Sequence, residues 1–385
     1  MNRRELLTLL GAAGALAALG TPSLASPTAP PRLVVILLRG GLDGLHAVVP
    51  HGDPAYADAR GALAIPTDQL AGLDGMFGLH PALSALAPWF AEGQLLPLHA
   101  LGLPYQERSH FDAQDVLDNG AAGPGVRRDG WLNRALAHAP GSSGIALGET
   151  VPLLLRGPHP VNALDPRRTR SAHADLLDAL EELYASDPPL LDALHAGRSS
   201  LALLPDTPAT GGGRGLEGRV AQTLSTVTTH PGGATAVSVE LGGWDSHARQ
   251  GGVSGSLAGR LSDLAAGLVA LRAGLGEAWA QTAVVVLTEF GRTVAPNGTG
   301  GTDHGVGSAG LLLGGAVNGG RVLADWPGLS PKERLEGRDL RPTTDVRAVL
   351  AGVLGPHLGL SRRALGEVFP GFDVRHAVDG LMRDG

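Results

Sequence analysis

The residues able to do chemistry in this 385-residue chain fall into a few short, glycine-rich strings. R-G-G-L-D-G holds Arg39 and Asp43, E-R-S-H-F-D holds Ser109 and His110, and G-G-W-D-S-H holds Asp245 and His247. T-E-F-G-R-T supplies Glu289 and Arg292, and G-T-D-H-G supplies Asp303 and His304. Carboxylate plus imidazole without thiolate is the ligand set of hydrolytic zinc or manganese sites. Cysteine is absent, which removes zinc–thiolate sites, iron–sulfur clusters, disulfides and cysteine nucleophiles. Asp43, Asp245, His247, Glu289, Asp303 and His304 are therefore the candidate ligands for one or two divalent ions: zinc, manganese or calcium. Two such ions can clamp the attacking and leaving oxygens of a phosphoryl or sulfuryl transfer. Arg39 and Arg292 would hold a phosphate or sulfate by bidentate bonds.

Ser109 precedes an expected helix at 110–119, where a serine is an ordinary N-cap. A helix N-terminus also favours an anionic oxygen, so Ser109 is equally a candidate nucleophile facing a metal. Each of the other strings has a plain structural explanation as well. Asp43 in a Gly-rich turn can bond its own backbone. Trp244 to His247 can be a satisfied turn, and Glu289 with Arg292 a structural ion pair. Asp303-His304 lies in a Gly-rich stretch that no packing argument explains.

The elements that must position these groups read as strands alternating with helices. Short apolar runs at 32–38, 95–100, 235–241 and 282–288 are strand candidates, and 311–313 begins a fifth. Helical spacing of apolar residues marks 81–92, 174–195, 257–279 and 344–358. Alternation of this kind predicts an α/β fold, a three-layer α/β/α sandwich with a mainly parallel central sheet. Ligands then bind beyond the carboxyl ends of the strands, where most of these polar strings stand. Pro205 to Gly215 reads as a mobile connection, and His99 stays open between core and function.

Residues 1–25 read as an address. Arg3-Arg4 precede a 15-residue apolar run ending in small residues at Thr21–Ala25, the pattern of a Tat signal peptide cleaved after Ala25. A flexible leader at 26–31 and one domain at 32–385 follow. The expectation is a periplasmic or secreted protein, exported by the Tat machinery with its ion already loaded and without a stable membrane span. Hydrophobic residues make up 43% and charged residues 17%, enough to bury a large core and unlike a disordered chain. The formal charge of −7 argues against nucleic acid, which needs a basic surface. Oligomeric state is not legible. No G-x-G-x-x-G follows the first strand and no Walker motif occurs, so nucleotide binding at the Gly-rich turns is a weak alternative.

Read together, the strings resemble the DUF1501 family of exported bacterial proteins over nearly the whole chain. The resemblance rests on L-R-G-G-L-D-G-L (38–45), G-L-H-P-A-L (78–83), S-H-F-D-A-Q-D (109–115), D-G-W-L-N-R (129–134), G-G-W-D-S-H (242–247), T-E-F-G-R-T (288–293) and G-T-D-H-G (301–305). It places the chain near the alkaline phosphatase and sulfatase superfamily, with its three-layer fold and metal-assisted site. The implied order of groups is Asp43 after the first strand, Ser109 as nucleophile, then Asp245 with His247, Glu289 and a later His304. Two departures stand out. The superfamily's Asp-x-x-x-His is here Asp-x-His. Its Asp-His after the later strand is here Glu289-Phe290, with Asp-His displaced to 303–304. A one-metal site, or a site without turnover, therefore stands beside the two-metal one. No C-x-P-x-R or S-x-P-x-R occurs, which favours phosphate over sulfate esters. The resulting expectation is an exported metal-dependent phosphoester hydrolase in which Ser109 attacks and His110 positions or protonates the leaving group. The alternative is a non-catalytic binding or assembly protein on a degenerate hydrolase fold.

Overall fold

The apolar run at Arg32–Arg39 forms β1, in a computed structural model that describes residues 30–166, 174–203, 219–230 and 233–383. The signal segment and Pro205–Gly215 lie outside the described residues. The chain divides into two units, Met1–Pro30 and Pro31–Gly385, and the fold below is that of the second.

β1 is apolar along its whole length because both of its faces are covered. Val34, Ile36 and Leu38 pack with Leu257, Leu261, Leu264 and Leu268 of the Ser256–Leu275 helix. Leu33, Val35 and Leu37 point the other way, toward Val116, Leu117, Trp131, Leu350 and Leu354. Two cores on opposite faces of one sheet make the three-layer α/β/α sandwich.

Among the described residues ten further strands follow in chain order: β2 (Val48–Val49), β3 (Ala71–Gly72), β4 (Gly78–Leu79), β5 (Leu95–Gly102), β6 (Gly144–Leu147), β7 (Val161–Leu164), β8 (Ala236–Gly242), β9 (Thr282–Leu287), β10 (Ser308–Leu313) and β11 (Thr344–Asp345). β2, β4 and β3 make a small antiparallel sheet. The others form the central sheet in the order β11-β5-β10-β9-β1-β8-β6-β7. β1 pairs in parallel with β8 (Leu33 opposite Ala236) and with β9 (Arg32 opposite Thr282). β10 runs antiparallel to both its neighbours, β5 and β9.

Several expected elements are redrawn. The 174–195 pattern is two helices, Ala174–Tyr184 and Pro188–Leu201. Pro188 and Pro189 lack the N–H a continuing helix needs but suit a first turn, and Asp187 caps that turn through Leu190 N (3.3 Å). The 257–279 helix stops at Leu275 because Gly276 has φ 53°, and a 3₁₀ segment, Gly276–Gln281, follows. The 81–92 segment is 3₁₀ at Pro81–Leu86 and α-helical at Ala87–Ala91. At 344–358 the helix starts only at Val346, after β11, with Asp345 accepting from Arg347 N (2.8 Å). β6 and β7 have four residues each, too few for a period to show.

His99 is a core residue. Its Nδ1 accepts from Ala100 N (2.8 Å), so Nε2 carries the proton and donates to the Val48 carbonyl (3.0 Å). His46, fully buried, faces the Gly252 carbonyl through Nε2 (3.0 Å). Burial pushes each ring down to about 4, against the raising effect of those bonds and of Asp43. The unfolded rings titrate near ~6.5. Between those values the unfolded chain binds protons that the fold refuses, so stability is full above ~6.5 and is lost as pH falls toward 4. Lowering pH from about 7.5 to about 5.5 is expected to cost ~2–3 kcal/mol for the pair. Urea midpoints at the two pH values check this, and equal midpoints would refute it.

Candidate metal centre

Three loops carry the chemistry, and topology brings them to one edge of the sheet. β1, β8 and β9 are parallel, so the segments after Arg39, Gly242 and Leu287 leave from the same side. β10 is antiparallel to β9, so the whole connection 288–307 stays at that edge. Inside it, Arg292 bridges His304, Thr293 N donates to Asp303 O (2.9 Å) and Gly305 N to Gly291 O (2.9 Å). Gly291 lets these runs touch, since a Cβ there would sit 1.9 Å from the Gly307 carbonyl oxygen. Gly40 has φ 125°, and a Cβ on it would meet Asp245 N at 2.5 Å. The glycines of R-G-G and E-F-G-R are thus what allow three backbones to converge. His110 arrives from a fourth direction, as first residue of the His110–Asn119 helix beyond β5.

Three side chains offer ligand atoms within 4.8 Å of one another: His110, Asp245 and His304. His110 Nε2 is 3.1 Å from His304 Nε2 and 3.5 Å from Asp245 Oδ2, and His304 Nε2 is 3.4 Å from Asp245 Oδ1. Ligands ~2.0–2.1 Å from a tetrahedral ion stand ~3.3 Å apart, so the spacing fits. His247 Nε2 approaches the same atoms, 3.0 Å from His304 Nε2 and 3.0 Å from Asp245 Oδ1.

The protons decide what these nitrogens are. His304 Nδ1 faces the Arg108 carbonyl (3.1 Å), His110 Nδ1 faces Glu289 Oε1 (2.8 Å) and His247 Nδ1 faces Asp303 Oδ1 (3.3 Å). Carbonyl and carboxylate oxygens only accept, so each Nδ1 donates and each Nε2 is the nitrogen turned toward the cluster. Three imidazole Nε2 atoms and a carboxylate thus meet at one point, an arrangement that suits a bound cation. Oxygen acceptors behind ligating histidines are the usual outer support of a metal site.

The carboxylates are held ionised. Burial raises Glu289, but bonds from Gln114 (3.0 Å), His110 and Gly40 N (2.8 Å) bring it below the usual range. Burial also raises Asp245, and the Arg292 guanidinium (2.6 Å) overcomes it. Asp303 is lowered first by the Asn297 amide (3.0 Å) and also by His247. His304 is pushed down by burial and by His110.

The expected ligand set is therefore redistributed. Asp245 and His304 stand in the cluster, and His110, expected to handle the leaving group, stands with them. Glu289 and Asp303 act one layer out, each turned onto a histidine. Asp43 is elsewhere, fully buried and spent on Arg60 and Gln250 (2.7 Å). Ser109 does precede the helix, but its side chain makes no cap bond; the Tyr105 phenol donates to Asp112 (2.9 Å). Neither arginine offers both terminal nitrogens to an ester. Arg292 is buried on Asp245, Thr302 and the Gly40 carbonyl. Arg39 is held by Asp118 (2.7 Å) and Glu240. The ion pair that Glu289 and Arg292 could have formed is made instead by Asp245 and Arg292. Sequence reading missed Gln114, Arg108 and Asn297. Gln114 had one signal, its place four residues after His110 on the same helix face.

The sequence matches the family described as "Protein of unknown function (DUF1501)" over residues 84–369, about three quarters of the chain. Among solved structures the chain is similar to murine ectonucleotide pyrophosphatase/phosphodiesterase 5, an inactive form in complex with AMP. Identity is 12%, the TM-score is 0.30, and the match covers 68% of this chain and 57% of that one. The chain thus spans less than two thirds of that protein's length. No curated protein matches the chain. Among the described residues no helix is long and apolar enough to cross a membrane.

Proposed function

We propose that this chain, which belongs to the DUF1501 family, is an exported metal-dependent hydrolase of phosphate esters with a one-ion site. The observation that carries the reading is the meeting of His110 Nε2, His304 Nε2 and the Asp245 carboxylate at 3.1–3.5 Å. With His110, His304 and Asp245 as ligands, the position that His247 Nε2 faces is left to water or substrate, the arrangement of catalytic rather than structural zinc. An ion held there would polarise a phosphoryl oxygen and lower the pKa of a water. Glu289 fixes the His110 ring, the Arg108 carbonyl fixes His304, and Arg292 holds Asp245 in its ionised form. His247, oriented by Asp303, takes the proton of the attacking water on Nε2, as a carboxylate-backed imidazole does. The attack is assigned to water rather than to Ser109, whose side chain makes no cap bond to the helix that carries His110. Phosphate is preferred to sulfate because the chain lacks the formylglycine signature. The Arg3-Arg4 leader supports export in the folded, loaded state through the Tat machinery.

The test is elemental mass spectrometry of the chain exported from a Tat-competent host, followed by turnover of bis(p-nitrophenyl) phosphate with and without chelator. About one equivalent of zinc or manganese, with turnover that the chelator abolishes, is the expected result. Less than a tenth of an equivalent after metal supplementation would sink the reading. The second reading, a non-catalytic binding protein, is favoured by the position of Ser109. It predicts no turnover at any ion content.

A further inference from the structure

The face of the His110–Asn119 helix that delivers His110 continues past the metal centre. Gln114 and Asp118 follow His110 at steps of four and so share its face, ~6 and ~12 Å further along at 1.5 Å per residue. Gln114 donates to Glu289, while Asp118 binds Arg39. Both line a cleft of about 450 Å³ reaching to Ser238 and Glu240 of β8 and to Gly148 just beyond β6. The volume is that of a small-molecule site, ~300–1,000 Å³.

Two polar groups at this cleft have no partner. Ser238 is 1% exposed and its Oγ makes no hydrogen bond. Arg39 Nη1 is likewise buried and unbonded, while Nη2 carries Asp118 and Glu240. Buried polar atoms left open are costly and call for a ligand or water. The charges narrow the ligand. Arg39 and Arg156 are set against Asp118, Glu149 and Glu240, a formal excess of one negative charge, which disfavours a second anionic group. None of the lining residues is aromatic, so a quaternary ammonium has no cage. What remains is a neutral group whose hydroxyls both donate and accept.

We propose that this cleft receives a polyhydroxylated group, a sugar or polyol, joined to the phosphate that the metal centre takes. Its role as a substrate pocket rests on the hydrolase reading, but binding of the group does not. The experiment is saturation-transfer NMR on the full chain with free glucose, galactose, mannose and glycerol, with choline and inorganic phosphate as comparison probes. At least one hexose is expected to give a signal. That signal should fall about tenfold in Ser238→Leu, which fills the cleft, and about threefold in Ser238→Ala, which removes only the hydroxyl. Both variants are first matched to the parent in thermal unfolding, and Ser238→Ala alone suffices if the larger residue does not fold. Absence of signal from every hexose and glycerol overturns the proposal, as does a hexose signal unchanged in Ser238→Ala or a signal from choline alone. Hexose binding without ester turnover would uphold the cleft and reject the hydrolase. Ester turnover without hexose or glycerol binding would do the reverse.

Discussion

The His304→Ala protein is expected to carry less than about a tenth of an equivalent of ion and to lose ester turnover about a thousandfold. An ion acting as Lewis acid is worth several kcal/mol of transition-state stabilisation, and 1.36 kcal/mol is a factor of ten. His304 is the sounder target than Asp245, although both stand in the cluster. Asp245 is bonded to the buried Arg292, so removing its carboxylate would strand a charge and unsettle the fold. His304 is part-exposed, and on its far side it gives up only one hydrogen bond, to the Arg108 carbonyl. Its loss should cost the fold about 1 kcal/mol. Elemental analysis and turnover of bis(p-nitrophenyl) phosphate are read on the same preparation. Added imidazole should restore part of both, by filling the space the ring leaves. A folded His304→Ala protein with full ion content would dismiss the one-ion assignment. Full turnover after the ion has gone would dismiss the mechanism.

Much of this was legible before the structure, and the reason is physical. β1, β5 and β9 announce themselves because strands buried on both faces are largely apolar. The glycine-flanked polar strings stand where parallel strands end, so topology alone brings most of them to one edge. What could not be read is which way each carboxylate turns. Glu289 and Asp303 look like ligands by residue type, yet each lies behind a histidine. That choice depends on distances of 3 Å between groups up to 179 residues apart, and no local spacing encodes it. His110, read at a helix start and given the leaving group, stands within ligand distance of His304 and Asp245, a position set by the same long-range distances. Asp43, expected as a ligand, pairs in the structure with Arg60, which sits in a segment without catalytic character.

Replacing Arg60 by Met is expected to destabilise the fold by about 3–5 kcal/mol, the cost of leaving one charge of a buried pair alone. Arg60 is fully buried, binds Asp43 through Nη2 and donates through Nη1 to the Val294 carbonyl (3.0 Å). Burial raises the Asp43 carboxyl, but Arg60, His46 and Gln250 together hold it below its usual range, so the pair is ionised. Gln250 donates to Asp43 (2.7 Å) and accepts from Thr302 (2.9 Å), whose hydroxyl also receives Arg292 Nε (3.2 Å). The pair thus anchors the far end of a chain of bonds that ends on Asp245. The double variant Asp43→Asn/Arg60→Met removes both charges and should recover more than half of the loss, as isosteric replacement of buried pairs does. Urea unfolding midpoints measure this, and elemental analysis of each folded variant separates support from ligation. If Asp43 is structural, Asp43→Asn keeps its ion and loses stability. An Asp43→Asn protein that is as stable as the parent and empty of metal would return Asp43 to the ligand set and reopen a two-ion site.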